Sequence, residues 1–393
     1  MLVGASTRRP SMTETAVRTT PWRRMGVWAA AHAVDDLYQG LVPACVPYFV
    51  LDRHYGYVAA SGLTLAAALG SSIPQPFIGL AVDRFRLRWM AGAGVAVAGL
   101  GLGLSGIVES YAGVWALILL SGLGVAMFHP AAGRSAREAA GDSASAMSVF
   151  AAGGSVGFFL APVLATPALM AMGVGATVLF LPPALIVAFV LLRKRPEAAA
   201  VQARVRTGAD RWGPFAVLTG IEVVRSVAFF GVLTFVELYW IRHLQSDRGV
   251  AGAALAGFLV GGVAGTLLGG RIADRAGLVR TVQLGGLLAI PALVGLRLAP
   301  GPYVPLLFAV LAGIALNIPF AVLVKLGQDY LPSRPGTAAG VTLGLAVSIG
   351  GLIAPALGAA AEAYGPEGVF TILCAVPLAA VGLGLFLPRD RAR

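Results

Sequence analysis

Uncharged apolar runs long enough to cross a bilayer recur along this 393-residue chain, at 55–82, 89–108, 249–270, 298–324, 335–361 and 368–388. A further run, 143–192, is 50 residues long and fits two helices with a turn near Thr166-Pro167. A membrane-spanning helix needs about 20 apolar residues, and within lipid only helices or closed barrels satisfy their own backbone groups. The runs show no strict alternation, which excludes barrel strands. Twelve helical spans follow, at about 25–50, 56–82, 89–108, 111–132, 144–165, 171–192, 213–240, 250–272, 280–298, 303–326, 337–361 and 367–388. With 58% hydrophobic and only 12% charged residues, the chain has no room for a large soluble domain.

The spans fall into two related sets. Gly79-Leu80-Ala81-Val82-Asp83-Arg84 closes one apolar stretch, and Gly270-Arg271-Ile272-Ala273-Asp274-Arg275-Ala276-Gly277 closes another 191 residues later. Pro130 matches Pro319, and the segment from Ser155 to Pro162 matches that from Ser348 to Pro355, at nearly the same offset. Such a duplication is the mark of a transporter built from two parallel repeats, with its substrate site between them. The expected domains are an N-terminal tail (1–24), a six-helix bundle (25–192), a linker (193–212), a second six-helix bundle (213–388) and a short tail (389–393).

Charge fixes an orientation. With the N-terminus in the cytoplasm, all but five of the 29 Lys and Arg residues fall in cytoplasmic tails, loops or span ends. Arg53, Arg242, Arg248 and Arg297 lie outside and Arg225 lies within span seven, a positive-inside bias that puts both termini in the cytoplasm of the cell membrane. The net charge of +11 therefore faces anionic lipid rather than nucleic acid. Residues 1–24 have no apolar core before a cleavage site and do not read as a signal peptide. Cys45 and Cys374 fall inside separate spans, so neither a disulfide framework nor a metal pair is expected.

Ionisable groups inside spans are the best pointers to function, because each is costly unless it faces a cavity or a partner. On span one, His32, Asp36 and Gln39 lie within about 40° of one helix face, while Asp35 turns about 60° to the other side. Asp36 sits about 16 Å deep, near the midplane. In span seven Arg225 reaches the same depth, and the repeat offset carries position 36 onto position 225. An acid in one half and a base in the other thus stand at equivalent depth, as if to confront each other across the seam. Glu222 offers the alternative, neutralising Arg225 from three residues away on one helix. His129, before Pro130 in span four, reads either as a packing residue or as a proton-relay group. Lys325, Asp329, Glu237 and Glu362 lie near span ends, where they would reach for the membrane surface.

Both Gly-x-x-x-Asp-Arg copies end their spans on the cytoplasmic side. Gly79 and Gly270 permit close helix contact, while Asp83 with Arg84, and Asp274 with Arg275 and Gly277, can pair with arginines or cap a neighbouring helix. Such contacts would latch that side shut and release on rocking. The first copy has Arg86 where the second has Gly277, so the latches need not be equal. Two apparent enzyme motifs fail on context. Gly153-Gly154-Ser155-Val156-Gly157 has no strand before it, and Gly101-Leu102-Gly103-Leu104-Ser105-Gly106 lies within a span. No catalytic residue, cofactor or metal is expected.

These residues resemble the major facilitator superfamily over about 25–388. Gly153 to Pro162 resembles the span-five antiporter motif, whose packing positions fall on Gly153, Gly157 and Pro162, with Ala161 where that motif usually has Gly. A narrower resemblance is to the fosmidomycin-resistance branch. It rests on His32, Asp36 and Gln39, on Gln75-Pro76-Phe77-Ile78-Gly79, and on Phe128-His129-Pro130 followed by Arg134 and Arg137. The branch often has Asn at the position of Asp35, and either acid remains a candidate for the proton. The resemblance implies an all-helical protein of two pseudo-symmetric bundles, acting as a monomer that exports a small drug or metabolite in exchange for protons. Uptake of an organic anion with protons, and a membrane sensor that no longer transports, are the alternatives.

Overall fold

A backbone surrounded by hydrocarbon must bond to itself, and helix, most of it α, is what the sequence forms in the computed structural model, which describes residues 21–55, 57–193 and 208–388. The expected tails, apart from residues 21–24, and most of the linker lie outside these residues. Six spans precede the linker. They are α1 (Pro21–Arg53), α2 (Tyr57–Ser72) continued by α3 (Gln75–Phe85), α4 (Trp89–Ser105), α5 (Tyr111–Ala140), α6 (Ala144–Met172), and α7 (Leu181–Arg193) with the turn before it. Six follow. They are α8 (Trp212–Leu238), α9 (Arg248–Ala276), α10 (Leu278–Leu298), α11 (Val304–Asn317) continued by α12 (Phe320–Tyr330), the broken span α13 (Pro335–Ala339) to α14 (Ala346–Leu352), and the closing part of α15 (Ala354–Gly384).

Eight helical stretches among the described residues are individually long and apolar enough to cross a membrane, and one of them, Ala144–Arg193, is long enough for two spans. Trp89–Ser105 and Pro335–Gly350 are shorter apolar helices, and α1 carries the polar groups that keep it apart from both sets. Leu, Ile, Val, Phe and Met side chains on the outside, such as Ile186, Phe189, Met170, Val260 and Leu287, form the surface that lipid would cover.

The duplication reappears as packing. In the first half α1 lies on α6, α2 on α5 and α4 on α5; in the second, α8 lies on α14, α9 on α11 and α10 on α11. The first half has one continuous core around Tyr38, Phe49, Phe128 and Phe150. The second divides into a cluster around Trp240, Phe258 and Phe370 and another around Phe215, Leu323 and Tyr330. The latter also contains Ala144 of α6, so it bridges the halves at the end where α7 stops and α8 begins.

Three local expectations change. The reversal in the 50-residue run comes at Gly173, with φ of 63°, rather than at Thr166-Pro167. Pro162 and Pro167 remain inside α6, since neighbouring groups in a membrane helix compensate a missing donor, and the helix ends where glycine permits a left-handed backbone. The related prolines also part company: Pro130 lies within continuous α5, whereas Pro319 separates α11 from α12. Finally, Lys325 is buried beneath the bridging end instead of reaching outward, with its Nζ 3.1 Å from Asp329.

Candidate functional site

Two groups of buried ionisable side chains lie in different halves. In the first half, α1 carries His32 and Asp36 one helical turn apart, so both face α5 and α6. His129 on α5 meets them: its Nε2 is 3.1 Å from Asp36 Oδ1 and 3.3 Å from His32 Nε2, and His32 Nε2 is 3.4 Å from Asp36 Oδ2. The rings are held from behind. His32 Nδ1 lies 2.8 Å from the Phe150 carbonyl and the ring stacks on Phe150 at 4.3 Å, while His129 Nδ1 lies 3.1 Å from the Val125 carbonyl. Both histidine side chains are buried, and Asp36 keeps 15% exposure.

Asp35 is fully buried, and neither carboxyl oxygen has a hydrogen-bond partner. Its Oδ2 is 3.8 Å from His129 Nδ1, too far for a hydrogen bond. Gln39 is half-buried and makes no side-chain hydrogen bond among the described residues. Close approach of α6 makes the pocket possible. A Cβ on Gly153 or Gly157 would strike the α1 backbone at Ala29 or Ala33, and one on Gly154 would strike Asp36 and His32. Pro162 is exposed, further along the same helix.

In the second half Glu222 and Arg225 satisfy one another on α8. Arg225 Nε and Nη2 donate to the two Glu222 carboxylate oxygens at 2.8 and 2.6 Å, a bidentate pair with both residues buried. The guanidinium also lies 4.8 Å from the Phe320 ring centroid. Arg225 borders a crevice between α8, α10, α11 and α15 with Val282, Gly285, Pro319 and Pro377. Asp36 and Arg225 therefore do not confront each other directly: the arginine is bound to the acid three residues before it, and Asp36 to two imidazoles.

The halves are joined at the linker end. Asp83 at the close of α3 accepts from the backbone N–H of Gly336 (2.8 Å) and Thr337 (2.7 Å) and from the Thr337 hydroxyl (2.8 Å), capping the span that begins at α13. Arg134 of α5 lies 3.2 Å from the same carboxylate. Asp274, near the end of α9, accepts from the N–H of Ala144 (2.6 Å) and Ser145 (3.0 Å) and from the Ser143 hydroxyl (3.3 Å), at the start of α6. Gly79 and Gly270 let these contacts close: a Cβ on Gly79 would come within 2.8 Å of the Gly336 carbonyl, and one on Gly270 would meet Ser148 and Ala144. Gly277, with φ of 95°, turns the chain from α9 into α10.

Arg84 and Arg275 differ from expectation. Both are exposed and join neither contact, because consecutive residues on a helix point about 100° apart. The arginine that serves Asp83 is Arg134, fifty-one residues away in sequence. Arg137 pairs with Asp329, and Gln328 donates to the Gly133 carbonyl at 3.0 Å. The contacts of Asp83, Asp274, Arg137 and Gln328 that join residues 21–193 to 208–388 all lie at this end.

The family model described as Major Facilitator Superfamily matches residues 29–355 and 218–393. The chain is 28% identical over 384 residues to a protein of Escherichia coli (strain K12) named "Fosmidomycin resistance protein", covering 93% of each. It is 26% identical over 390 residues to the Bacillus subtilis (strain 168) "Uncharacterized MFS-type transporter YfnC", covering 95% of this chain and 94% of that one. Among solved structures, the E. coli fucose:proton symporter FucP has the same fold, with a TM-score of 0.73 at 14% identity, covering 94% of this chain and all of the other.

Proposed function

This chain belongs to the Major Facilitator Superfamily, and on that premise we propose that it exports a small drug or metabolite across the cell membrane in exchange for protons. The observation that carries the reading is the meeting of Asp36 with His32 and His129 inside the first bundle, at 3.1 and 3.4 Å. A carboxylate shared by two imidazoles can hold a proton or release it, and Asp36 keeps a path to water that Asp35 lacks. Asp36 is thus the proton carrier, His32 and His129 its relay, and Asp35 an electrostatic neighbour.

Arg225 provides the complementary charge in the other half. Glu222 holds its Nε and Nη2, and Nη1 donates to the Leu316 carbonyl at 3.4 Å, so an anionic group of the substrate would have to displace that carbonyl from the crevice Arg225 borders. Exchange then proceeds by alternating access. The Asp83 and Asp274 caps hold the linker end shut, and their release opens the seam to the cytoplasm. Substrate that binds the deprotonated cluster more tightly than the protonated one couples the two flows. Similarity to a protein named for fosmidomycin resistance favours export and makes fosmidomycin the first compound to try.

The test uses inside-out vesicles with an acidified lumen. Substrate should accumulate in the lumen while protons leave it, and an uncoupler should abolish the accumulation. Undiminished exchange in the Asp35→Asn, Asp36→Asn double variant would reject the assignment. Substrate accumulation that instead requires an acid exterior would reverse the direction.

A further inference from the structure

The three side chains at the heart of the first bundle present an electrostatic problem that a proton is not the only cation able to solve. A backbone carbonyl can only accept a hydrogen bond, so the carbonyls of Phe150 and Val125 assign the N–H of each neutral ring to Nδ1. Each Nε2 then carries a lone pair. Those two nitrogens lie 3.3 Å apart, with Asp36 oxygens 3.1 and 3.4 Å from them, and Asp36 Oδ1 has no hydrogen-bond partner. Three side chains with lone pairs thus face one another, each Nε2 toward its own Asp36 oxygen, with no donor hydrogen among them.

Two imidazoles and a carboxylate this close together are a ligand set that can hold a metal ion. A tetrahedral zinc ion holds His nitrogens at about 2.0–2.1 Å and carboxylate oxygens at about 2.0–2.2 Å, which sets its ligand atoms about 3.3–3.5 Å apart. An octahedral ion with bonds of about 2.1 Å would set neighbouring ligands only about 3.0 Å apart. The two imidazole nitrogens stand 3.3 Å apart, a tetrahedral edge, and each faces its own Asp36 oxygen, at 3.1 and 3.4 Å, so the carboxylate spans the pair. The groups behind the triangle are also those a metal site uses. Each ring is oriented by an Nδ1–H donated to a carbonyl, which fixes the tautomer and leaves Nε2 free to ligate. Gly154 keeps the space clear, since a Cβ there would strike Asp36 and approach His32 Nε2 to 2.7 Å.

We infer that His32, Asp36 and His129 form a binding site for a divalent metal ion of the zinc class inside the first bundle. The two imidazoles and one carboxylate leave the net charge of the occupied site at +1 and the fourth coordination position open. Asp36 is the member with access to water, so the fourth ligand enters from its side. Occupancy ties α1 to α5 through coordinate bonds. The inference stands on this geometry and does not require the proton-coupled reading, so binding is measured without any gradient.

The experiment titrates Zn2+ into the purified, tag-free full-length chain by calorimetry, and substitutes Co2+ to read the coordination geometry from its visible spectrum. One Zn2+ per chain is expected, with X-ray absorption showing two imidazole nitrogens at about 2.0–2.1 Å. His32→Ala and His129→Ala should each weaken binding by at least about 100-fold, since loss of an outer-shell partner alone costs about 10–100-fold. Gly154→Ala, which retains every ligand, should weaken it as well by crowding the triangle. The chain has four histidines, and the double variant His54→Ala, His243→Ala should bind as the unmodified protein does. Absence of stoichiometric Zn2+, a Zn2+ spectrum without imidazole, or unchanged affinity in His32→Ala and His129→Ala would overturn the inference.

Discussion

In the C-terminal half the deepest ionisable groups answer each other. Glu222 and Arg225 share two hydrogen bonds on one helix and are closed off by Phe320. In the N-terminal half Asp36 faces two imidazoles whose lone pairs also point inward, and Asp35 lies buried with neither oxygen bonded. Both arrangements put charge-bearing groups deep in a membrane protein, where a group without a partner is expensive. The first pairs a cation with its acid; the second gathers a carboxylate and two imidazoles. On the proposed reading the two halves divide the work, one holding a self-neutralised ion pair and the other a site whose charge can change.

The strongest way to break this comparison is to unbalance the complete pair. Arg225→Met leaves Glu222 buried without its partner and should cost about 3–5 kcal/mol of stability, whereas adding Glu222→Leu should recover most of it, because apolar replacement of a whole buried pair is often neutral or better. Thermal unfolding in detergent measures both. If the single variant is as stable as the unmodified protein, the pair is not the closed unit described. A stable double variant that no longer transports would sharpen the contrast by separating the arginine's substrate role from its structural one.

The Asp36 cluster should respond in activity more than in stability. Asp36→Asn removes the carboxylate that touches both histidines, and exchange in inside-out vesicles should fall by about 100-fold, or about 2.7 kcal/mol in the barrier. Asp35→Asn, which retains the cluster, should lower exchange by less than about tenfold. Reversal of that order would transfer the proton to Asp35 and leave Asp36 as its neighbour.

Much of this architecture is legible in the sequence because a bilayer imposes a length on every apolar run. The spans, the duplication and the depth of Asp36 and Arg225 all follow from counting residues. Helical spacing also puts His32 and Asp36 on one face. It says nothing of His129, which arrives from a helix 97 residues further on, or of the Phe150 carbonyl that orients His32. Arg225 could be matched to an acid in either half by depth alone; a carboxylate on its own helix wins, because the three-residue spacing needs no movement of the bundles. The arginine in Gly-x-x-x-Asp-Arg is adjacent to the acid in sequence but turned away on the helix, and only the fold reveals Arg134 in its place. Pro167 looked like a chain reversal because a water-exposed helix would break there, yet within the bundle the helix carries on to Gly173.

The comparison between halves extends to the two latches, where the smallest effect is expected. Asp83 is half-buried, accepts three hydrogen bonds from residues 336–337 and has Arg134 beside it. Asp274 is exposed, accepts from two backbone N–H groups and Ser143, and has no arginine partner among the described residues. Losing a capping side chain costs about 0.5–2 kcal/mol, and contacts open to water fall toward the lower end. Asp83→Ala also leaves Arg134 without one of its acids. Arg84 and Arg275 are exposed, lie in different halves and touch neither latch, so Arg84→Cys with Arg275→Cys, in a background with Cys45 and Cys374 replaced, gives a pair of spin-label sites across the seam. Opening should lengthen their distance. Asp83→Ala should raise the open population by about 5–30-fold, the equivalent of about 1–2 kcal/mol, and Asp274→Ala by less than about fivefold. Equal shifts would mean that the contact made by Arg134 contributes nothing to closure, and a larger shift for Asp274→Ala would make the exposed latch the one that governs it.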